Sequence, residues 1–392
     1  MTRLALLLVL GLSSAGLGCA ALRALAGKNT VDLEGADVRS MGVDIRKSEK
    51  TICPRESVQM AVFAEVVLKG ESQQKKLETW SGGPDTNRNG KLDFADFAFH
   101  SDQGRFDDSG WFTPKSDLSA TVSNELTIKT VFRRRPDKFS FTTSYKPDYR
   151  CIREAGGVGG AGTTGSAGAT GANGEAGQSG SSTSAGTPGR DGAAGSAGGA
   201  GAQGQSGPKL VAYASFVKTA FYDKLVALRI EGGASDFVLF HPEQKLVLSA
   251  RGGAGGDGGS GGRGGDGGSG GSGNPPGAGG NGAAGGNGGN GGNGGVGGSI
   301  ELVFDERFPE LAKLIALDVA GGSAGTAGLG GRGGGAGRGG SGYGTASAAA
   351  DGSAGPDGAA GGAGSPGPAG TSTSRAGAIA ERLGGLEGIT PL

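Results

Sequence analysis

One short loop carries the oxygen-bearing side chains best spaced to hold a metal ion. The segment "DTNRNGKLDFAD" (85–96) has them at its positions 1, 3, 5, 9 and 12, which are Asp85, Asn87, Asn89, Asp93 and Asp96. Gly90 at position 6 permits a sharp turn, and Lys91 at position 7 offers its backbone carbonyl. Calcium takes about six to eight oxygen ligands in a flexible sphere. The spacing therefore predicts a calcium site, and the alternative is a solvated Asp/Asn/Gly turn.

The loop resembles an EF-hand calcium loop, and Asp at the last position makes it more similar to the dockerin type. The resemblance implies that the following "FADFAFH" (94–100) begins an exiting helix. Only three of the side-chain ligands are charged, so a modest affinity is expected. Dockerins carry two such loops and this chain shows one, so a dockerin function is not implied.

No set of residues in the sequence predicts catalysis. His100 and His241 are the only histidines, and neither has the spacing of a metal site. No Gly-x-Ser-x-Gly elbow lies between a predicted strand and a predicted helix. We therefore expect no enzyme activity and surface roles for both histidines.

Three cysteines are present, Cys19, Cys53 and Cys151. If Cys19 is modified or removed, Cys53 and Cys151 remain and are predicted to form a disulfide in an oxidising compartment. A loop of that length would stabilise the fold by about 4 kcal/mol in the chain-entropy model. The alternative is two free thiols.

The N-terminus has the features of an export signal. Arg3 precedes an apolar stretch (4–12) that is too short to span a membrane. The segment "AGLGC" (15–19) resembles a bacterial lipobox, although Gly16 stands where Leu is usual. The resemblance implies a signal peptide over 1–18, lipidation of Cys19, an anchor over 19–29 and, because Ala20 is not Asp, the outer membrane or cell surface. The alternative is cleavage after "ALA" (24–26), which gives a secreted or periplasmic protein.

Composition divides the chain of 392 residues into two parts, because most of its 89 glycines follow Ala155. The 37 basic and 37 acidic residues cancel, so no overall field favours nucleic acid. No other long apolar segment predicts a membrane span.

Residues 30–155 are predicted to form a β-sandwich-like domain that contains the calcium loop. In "SVQMAVFAEVVLKG" (57–70) apolar residues alternate from Val58 to Leu68, which predicts a strand with one buried face. Segments 125–134 and 138–145 are rich in β-branched and aromatic residues, and 31–39 is a weaker candidate.

Glycine then recurs at every third position. Six runs of 19 to 25 residues keep this period, with breaks between them, and we number them 1 to 6 in chain order: 156–180, 186–207, 252–273, 277–298, 321–342 and 352–370. A flexible linker has no reason to keep a period. Three residues per turn is the period of the polyproline-II family of left-handed helices, in which every third residue faces one side.

Three structures compete for these runs. A collagen trimer is disfavoured because run 1 and run 2 contain Pro188 as their only proline, and disorder does not explain the period. In "GGNGGNGGNGGVGG" (285–298) paired glycines offer two bare sides and place Asn outside. This pattern resembles the polyglycine-II bundles of snow-flea-type antifreeze proteins and phage tail-fibre tips, and mycobacterial glycine-rich surface proteins carry similar arrays. The resemblance implies a bundle of laterally hydrogen-bonded helices.

Ordinary sequence separates the repeats. The predicted divisions are a Gly-x-y repeat (156–207), a strand segment (208–251), a Gly-Gly-x repeat (252–298), a strand segment (299–320), a Gly-rich repeat (321–370) and a tail (371–392). Strands are predicted at 209–217, 224–232, 236–242, 245–252, 299–305 and 313–322, as a small β-layer. We expect "HPEQ" (241–244) to form a hairpin turn and 375–383 a short helix, so the predicted fold has little α-helix.

These patterns predict an exported, lipid-anchored structural or adhesive surface protein with a calcium-stabilised β domain. The alternative is a ligand-binding module that uses the outer sides of the glycine runs for a glycan, another surface or ice. Ice is the remote case, because Asn, Asp and Arg occupy those sides. A collagen-like structure alone would imply a trimer.

Overall fold

The computed structural model describes residues 27, 29–83, 85–383 and 387–392. The predicted signal peptide (1–18), Cys19 and most of the anchor (19–29) lie outside these residues. The described chain consists mostly of β-sheet with very little helix, which confirms the all-β prediction. Its described residues divide into two units, the first from within Met1–Ile152, Lys218–Asp223 and Leu386–Thr390, and the second from within Arg153–Val217, Lys224–Gly385 and Pro391–Leu392.

Two sheets form the first unit. Its strands are β1 (Asp37–Ile45), β2 (Thr51–Ile52), β3 (Val58–Val67), β4 (Gln74–Glu78), β5 (Phe97–His100), β6 (Gly104–Phe106), β7 (Trp111–Pro114), β8 (Leu126–Phe132) and β9 (Ser140–Pro147). One sheet has the order β1-β3-β7-β6, with β4 also paired to β3, and the other has the order β2-β9-β8-β5. Short 3-10 helices lie at Phe94–Asp96, Leu118–Ala120 and Tyr149–Cys151.

Both sheets contribute to the same hydrophobic clusters. Val62 and Val66 of β3 pack in one cluster with Phe97 of β5 and Phe132 of β8. Met60 of β3 packs in a second cluster, together with residues of β7, β8 and β9. On the face predicted to be buried, the side chains from Val58 to Val66 are at most 3% exposed, but Gln59 and Ala61 of the opposite face are also buried, so the predicted alternation holds only from Val62 onward. Burial of this face fixes the register of β3, since a shift by one residue would expose it.

Two predictions in this unit are wrong. No helix follows the loop, because after the 3-10 turn the chain enters β5, which pairs antiparallel with β8. The aromatic side chains of "FAF" suit a half-buried strand, and tertiary pairing decides their conformation. The predicted strand at 31–39 begins only at Asp37.

The disulfide between Cys53 and Cys151 is present, with its Cα atoms 6.1 Å apart. It joins residues that are 98 positions apart and encloses the strands from β3 to β9. A cross-link of this span acts mainly by restricting the unfolded chain.

The second unit contains two further sheets. Its strands are β10 (Glu154–Val158), β11 (Lys209–Lys218), β12 (Leu225–Gly232), β13 (Asp236–Phe240), β14 (Leu246–Arg251), β15 (Ser299–Asp305), β16 (Ile315–Asp318) and β17 (Thr371–Gly377), and β18 (Thr390–Pro391) ends the chain. One sheet contains β13-β12-β11-β15-β17 and the other β10-β14-β16. Two short helices, α1 (Leu311–Leu314) and α2 (Ala380–Leu383), complete the elements.

Three boundaries here differ from prediction. The turn at "HPEQ" joins β13 and β14, which belong to different sheets, so it closes no hairpin. The strand predicted at 313–322 is limited to β16 and is preceded by α1. The helix predicted at 375–383 is limited to α2, because Thr371–Gly377 pairs in parallel with β15.

Backbone hydrogen bonds connect the six glycine runs laterally. The amide of Gly289 in run 4 donates to Gly259 O in run 3 at 2.8 Å, and the same contact recurs every third residue from Gly277 to Gly295. Run 3 donates in turn to run 2, through Gly259 N to Gly199 O at 2.8 Å. Partner numbers fall as donor numbers rise, so consecutive runs are antiparallel.

A second set of bonds joins alternate runs. Gly165 of run 1 donates to Asp257 O of run 3, and Gly258 of run 3 donates to Thr326 O of run 5, both at 2.8 Å. Gly198 of run 2 donates to Asn287 O of run 4, and Gly288 donates onward to Ala359 O of run 6. The odd-numbered runs therefore form one row and the even-numbered runs a second row. Backbone hydrogen bonds between consecutive runs join the two rows.

Glycine is required in these rows because the backbones lie too close for a side chain. A Cβ added to Gly289 would lie 1.9 Å from Gly199 O, and one added to Gly259 would lie 2.0 Å from Ser166 O. Among the run glycines only Gly156 has a positive φ, so conformational freedom is not the reason. Runs 3 and 4 contact four other runs each and carry two glycines per triplet, whereas runs 1 and 6 contact two and carry one.

Replacing both Cys53 and Cys151 by Ala should lower the free energy of unfolding of the first unit by about 4 kcal/mol, because the long loop is then unconstrained in the unfolded chain. Denaturant unfolding followed by tryptophan fluorescence measures this, since Trp80 is buried in this unit at 2% exposure. An unchanged unfolding midpoint would contradict a stabilising role for the disulfide.

Candidate calcium loop and exposed glycine-run faces

The predicted calcium loop connects β4 to β5, and residues in the middle of the loop hold it in place. Gly90 has a φ of +71°, so the sharp turn expected at position 6 is present. Leu92 is fully buried, donates its amide to Glu78 O at 2.9 Å and forms bridges with Val31 and Thr79. The loop is thus held between the chain before β1 and the end of β4.

The predicted ligand atoms at positions 3, 5 and 7 accept hydrogen bonds from backbone amides. Asn87 Oδ1 accepts from Asn89 N at 3.0 Å, an Asx turn inside the loop. Asn89 Oδ1 accepts from Asn29 N at 2.9 Å. The carbonyl of Lys91 accepts from Val31 N at 2.8 Å, while its ammonium group pairs with Glu78 at 2.8 Å.

The carboxylates are divided among several partners. Asp93 caps the 3-10 turn through Ala95 N at 3.0 Å and accepts from Thr30 Oγ1 at 2.9 Å. Asp96 lies 3.4 Å from Arg134 Nε, and burial raises the pKa of this carboxyl although Arg134 opposes the shift. Asp85 is exposed.

The donor set fits calcium in its chemistry, because all the predicted ligands are oxygens of one loop, but the carboxylates of Asp85, Asp93 and Asp96 do not all lie within 4.8 Å of one another. Asp96 fits calcium less well, because its carboxylate already pairs with the guanidinium group of Arg134, and a calcium ion would have to displace this group. Asp32 and Glu34 also pair with Arg134, at 3.0 and 3.5 Å. Sequence spacing gave no signal for Arg134, which follows the loop by some forty residues.

Within the described residues, one group of His, Cys, Asp and Glu side chains is close enough to hold a metal, formed by Cys53, Glu56 and Cys151. Both sulfur atoms are bonded to each other in the disulfide, so this group is not a metal site. His100 is exposed beside Asp102 at 3.2 Å, and His241 pairs with Glu243 at 3.4 Å.

The two rows of glycine runs expose different chemistry. We call the outward positions of the odd row the charged face: every third residue from 161 to 179, from 254 to 272 and from 323 to 341. It contains Asp257, Arg263, Asp266, Arg332 and Arg338. The neutral face comprises every third residue from 188 to 206, from 278 to 296 and from 350 to 368, and its one charged residue is Asp191. The sequence placed Asn, Asp and Arg outside, but it did not separate them by face.

Asparagines of run 4 hold the neighbouring run through their side chains. They are exposed, as predicted, and Oδ1 of Asn290 accepts from Gly362 N of run 6 at 2.8 Å. Asn281, Asn287 and Asn293 make the equivalent bonds at 2.8–2.9 Å. On the charged face, Asp257 and Asp266 accept in the same way from Thr326 N and Gly335 N. These side chains bind amides that the glycine backbone leaves pointing outward, a role the sequence analysis missed.

Replacing Asn290 by Ala should leave the Gly362 amide without its side-chain acceptor and cost about 1 kcal/mol of local stability. Amide hydrogen exchange at Gly362 should accelerate accordingly. Val296→Ala, at a 40% exposed position of the same run, is the control. Equal exchange rates at Gly362 in both variants would show that the side-chain bond carries no stability.

No helix in the described part of the chain is long and apolar enough to cross a membrane. Comparison with protein-family models, with curated proteins and with solved structures gives no match.

Proposed function

We propose that this chain is an exported, lipid-anchored cell-surface protein with a structural or adhesive role, whose glycine region is a bundle of polyglycine-II helices. The observation that carries the proposal is the lateral N–H···O bonding at every third residue, between backbones with no room for a Cβ. The period of three, and negative φ at every run glycine except Gly156, agree with a left-handed helix of the polyproline-II type.

The arrangement suits a mechanical or display role. Each run would extend roughly 60–75 Å at the polyproline-II rise of about 3.1 Å per residue. Lateral bonding within one chain gives every run backbone partners without a second or third chain, which favours a bundle over a collagen trimer. The export and anchoring parts of the proposal rest on residues 1–19, and mass spectrometry of the mature N-terminus tests them through a lipid adduct on Cys19.

Two Gly→Ala substitutions distinguish a packed bundle from a loose chain. Gly289→Ala should destabilise the second unit by about 3 kcal/mol, because its Cβ would overlap a backbone oxygen that cannot move aside. Gly362→Ala is the matched control, since its Cβ meets only Asn290 Oδ1 at 3.5 Å. It should be neutral or stabilising by about 0.5 kcal/mol through the unfolded state.

Thermal unfolding followed by circular dichroism of the full chain measures both variants. If Gly289→Ala and Gly362→Ala behave alike, close backbone packing in the glycine region is refuted.

We further propose that calcium binds the 85–96 loop and stabilises the first unit. The proposal is supported by the left-handed turn at Gly90 and by the Asn87–Asn89 Asx turn, which direct oxygens along one loop. Asp85, Asn87, Asn89, Lys91, Asp93 and Asp96 would hold the ion, which would supply positive charge for the three carboxylates. Ligand binding by the exposed glycine-run faces stays a prediction.

Calcium should raise the melting temperature of the native chain, and Asp85→Ala should abolish this shift. Arg134→Ala should tighten calcium binding about fivefold, equivalent to about 1 kcal/mol for one ion pair, because Asp96 loses its competing partner. Isothermal titration measures the affinities, with Arg105→Ala as the control for net charge. The absence of both heat and a melting shift would refute the calcium proposal.

A further inference from the structure

A cleft lies on the outer face of the first sheet, where β1, β3 and β4 run side by side. Its volume is about 560 Å³, and its lining includes Phe63, Glu65, Lys76, Glu78 and Lys91. This volume lies within the range of about 300–1,000 Å³ typical of small-molecule sites. All of its lining residues belong to the first unit, and none of them is a carboxylate of the 85–96 loop.

An exposed aromatic ring forms the apolar part of the cleft. Phe63 alternates with the buried Val62 and Ala64, so its side chain lies on the opposite face of β3, and it is 44% exposed. The register places Phe63 between Gly42 of β1 and Glu78 of β4. A Cβ added to Gly42 would meet no atom within 4 Å, so one flank of the ring is open.

Ion pairs surround this ring. Glu65 pairs with Lys76 at 3.3 Å and accepts from Ser40 Oγ at 3.1 Å. Glu78 pairs with Lys91 at 2.8 Å, and Arg46 lies 3.6 Å from its other oxygen. The partly buried Glu78–Lys91 pair orients hydrogen-bonding groups before a ligand arrives, which lowers the ordering cost of binding, whereas the side chain of Lys76 is 84% exposed and can adjust to the ligand.

The charges of the lining select against ionic ligands. Two carboxylates and two ammonium groups cancel, and each group already has an opposite partner. An anion would have to displace Glu65 or Glu78 from a lysine, and a cation would have to displace a lysine from a carboxylate. A purely apolar chain would remove water from these charged groups without replacing the hydrogen bonds that the water makes. A ligand with one apolar face and several neutral hydroxyl groups meets both requirements.

We propose that this cleft binds a neutral saccharide. One sugar ring stacks its C–H face on Phe63, and its hydroxyl groups donate to Glu65 and Glu78 and accept from Lys76 and Lys91. Lys91 is also position 7 of the 85–96 loop, so that loop shapes one wall of the cleft. The proposal does not depend on calcium or on the glycine bundle.

Isothermal titration of the full chain with cellohexaose, chitohexaose, laminarihexaose and mannohexaose tests the proposal. At least one of these probes should bind, and Phe63→Ala should weaken it at least tenfold. Glu78→Gln should weaken it several-fold while leaving the ring in place. Leu329→Ala, which shortens another exposed apolar side chain, is the control and should leave the affinity unchanged.

Two further titrations test whether the cleft binds purely apolar or anionic ligands instead of a neutral saccharide. Sodium decanoate and inorganic phosphate serve as apolar and anionic probes, and neither should compete with the saccharide. The proposal is overturned if none of the four saccharides binds, if Phe63→Ala binds as the native chain does, or if decanoate or phosphate binds the cleft instead. Because Phe63 is partly exposed, circular dichroism of Phe63→Ala should match the native spectrum, and Glu78→Gln provides a second readout if it does not.

Discussion

Direct contact between backbones governs the second unit. An amide in one glycine run reaches a carbonyl in the next at about 2.8 Å only because no Cβ lies between them. Each such bond is worth little by itself, about 1 kcal/mol net, but it recurs at every third residue along six runs. Apolar burial supplies little within the runs, so their order depends on making nearly all of these bonds at once. On the two exposed faces, Asn and Asp side chains accept hydrogen bonds from backbone amides that point outward and have no backbone acceptor.

The first unit depends on different physics. Its sheets bury alternating side chains in two shared clusters, and a disulfide across 98 residues restricts the unfolded chain. Its polar features lie on the periphery of that core: the 85–96 loop beside Arg134, and the ion pairs around Phe63. An apolar interior therefore positions both candidate sites, and the 85–96 loop contributes Leu92 to it.

Short-range sequence patterns predicted the features that depend on residues close together in the chain. The period of two gave the buried face of β3, the period of three gave the six runs, and Gly90 gave the turn of the loop. Residues far apart in sequence decided the rest. Pairing with β8 made "FAFH" a strand, Arg134 reached Asp96, and β13 and β14 joined separate sheets although one turn connects them. The saccharide cleft also needed the register that sets Gly42, Phe63 and Glu78 in one row, which no single segment contains.

The single glycine per triplet in runs 1 and 6 limits growth of the rows. Where a further run would need a bare side, run 1 carries Glu175, which pairs with Arg190 of run 2 at 3.3 Å, and run 6 carries Asp357, with Asp351 directly before its first residue. Side chains at these margins keep another glycine-rich backbone from approaching to hydrogen-bonding distance. They act as charged edge strands do in soluble β-sheets, where they prevent open-ended polymerisation. The composition of the outermost runs thus limits the number of runs in each row. The lateral hydrogen bonding between glycine backbones would by itself allow further runs to be added.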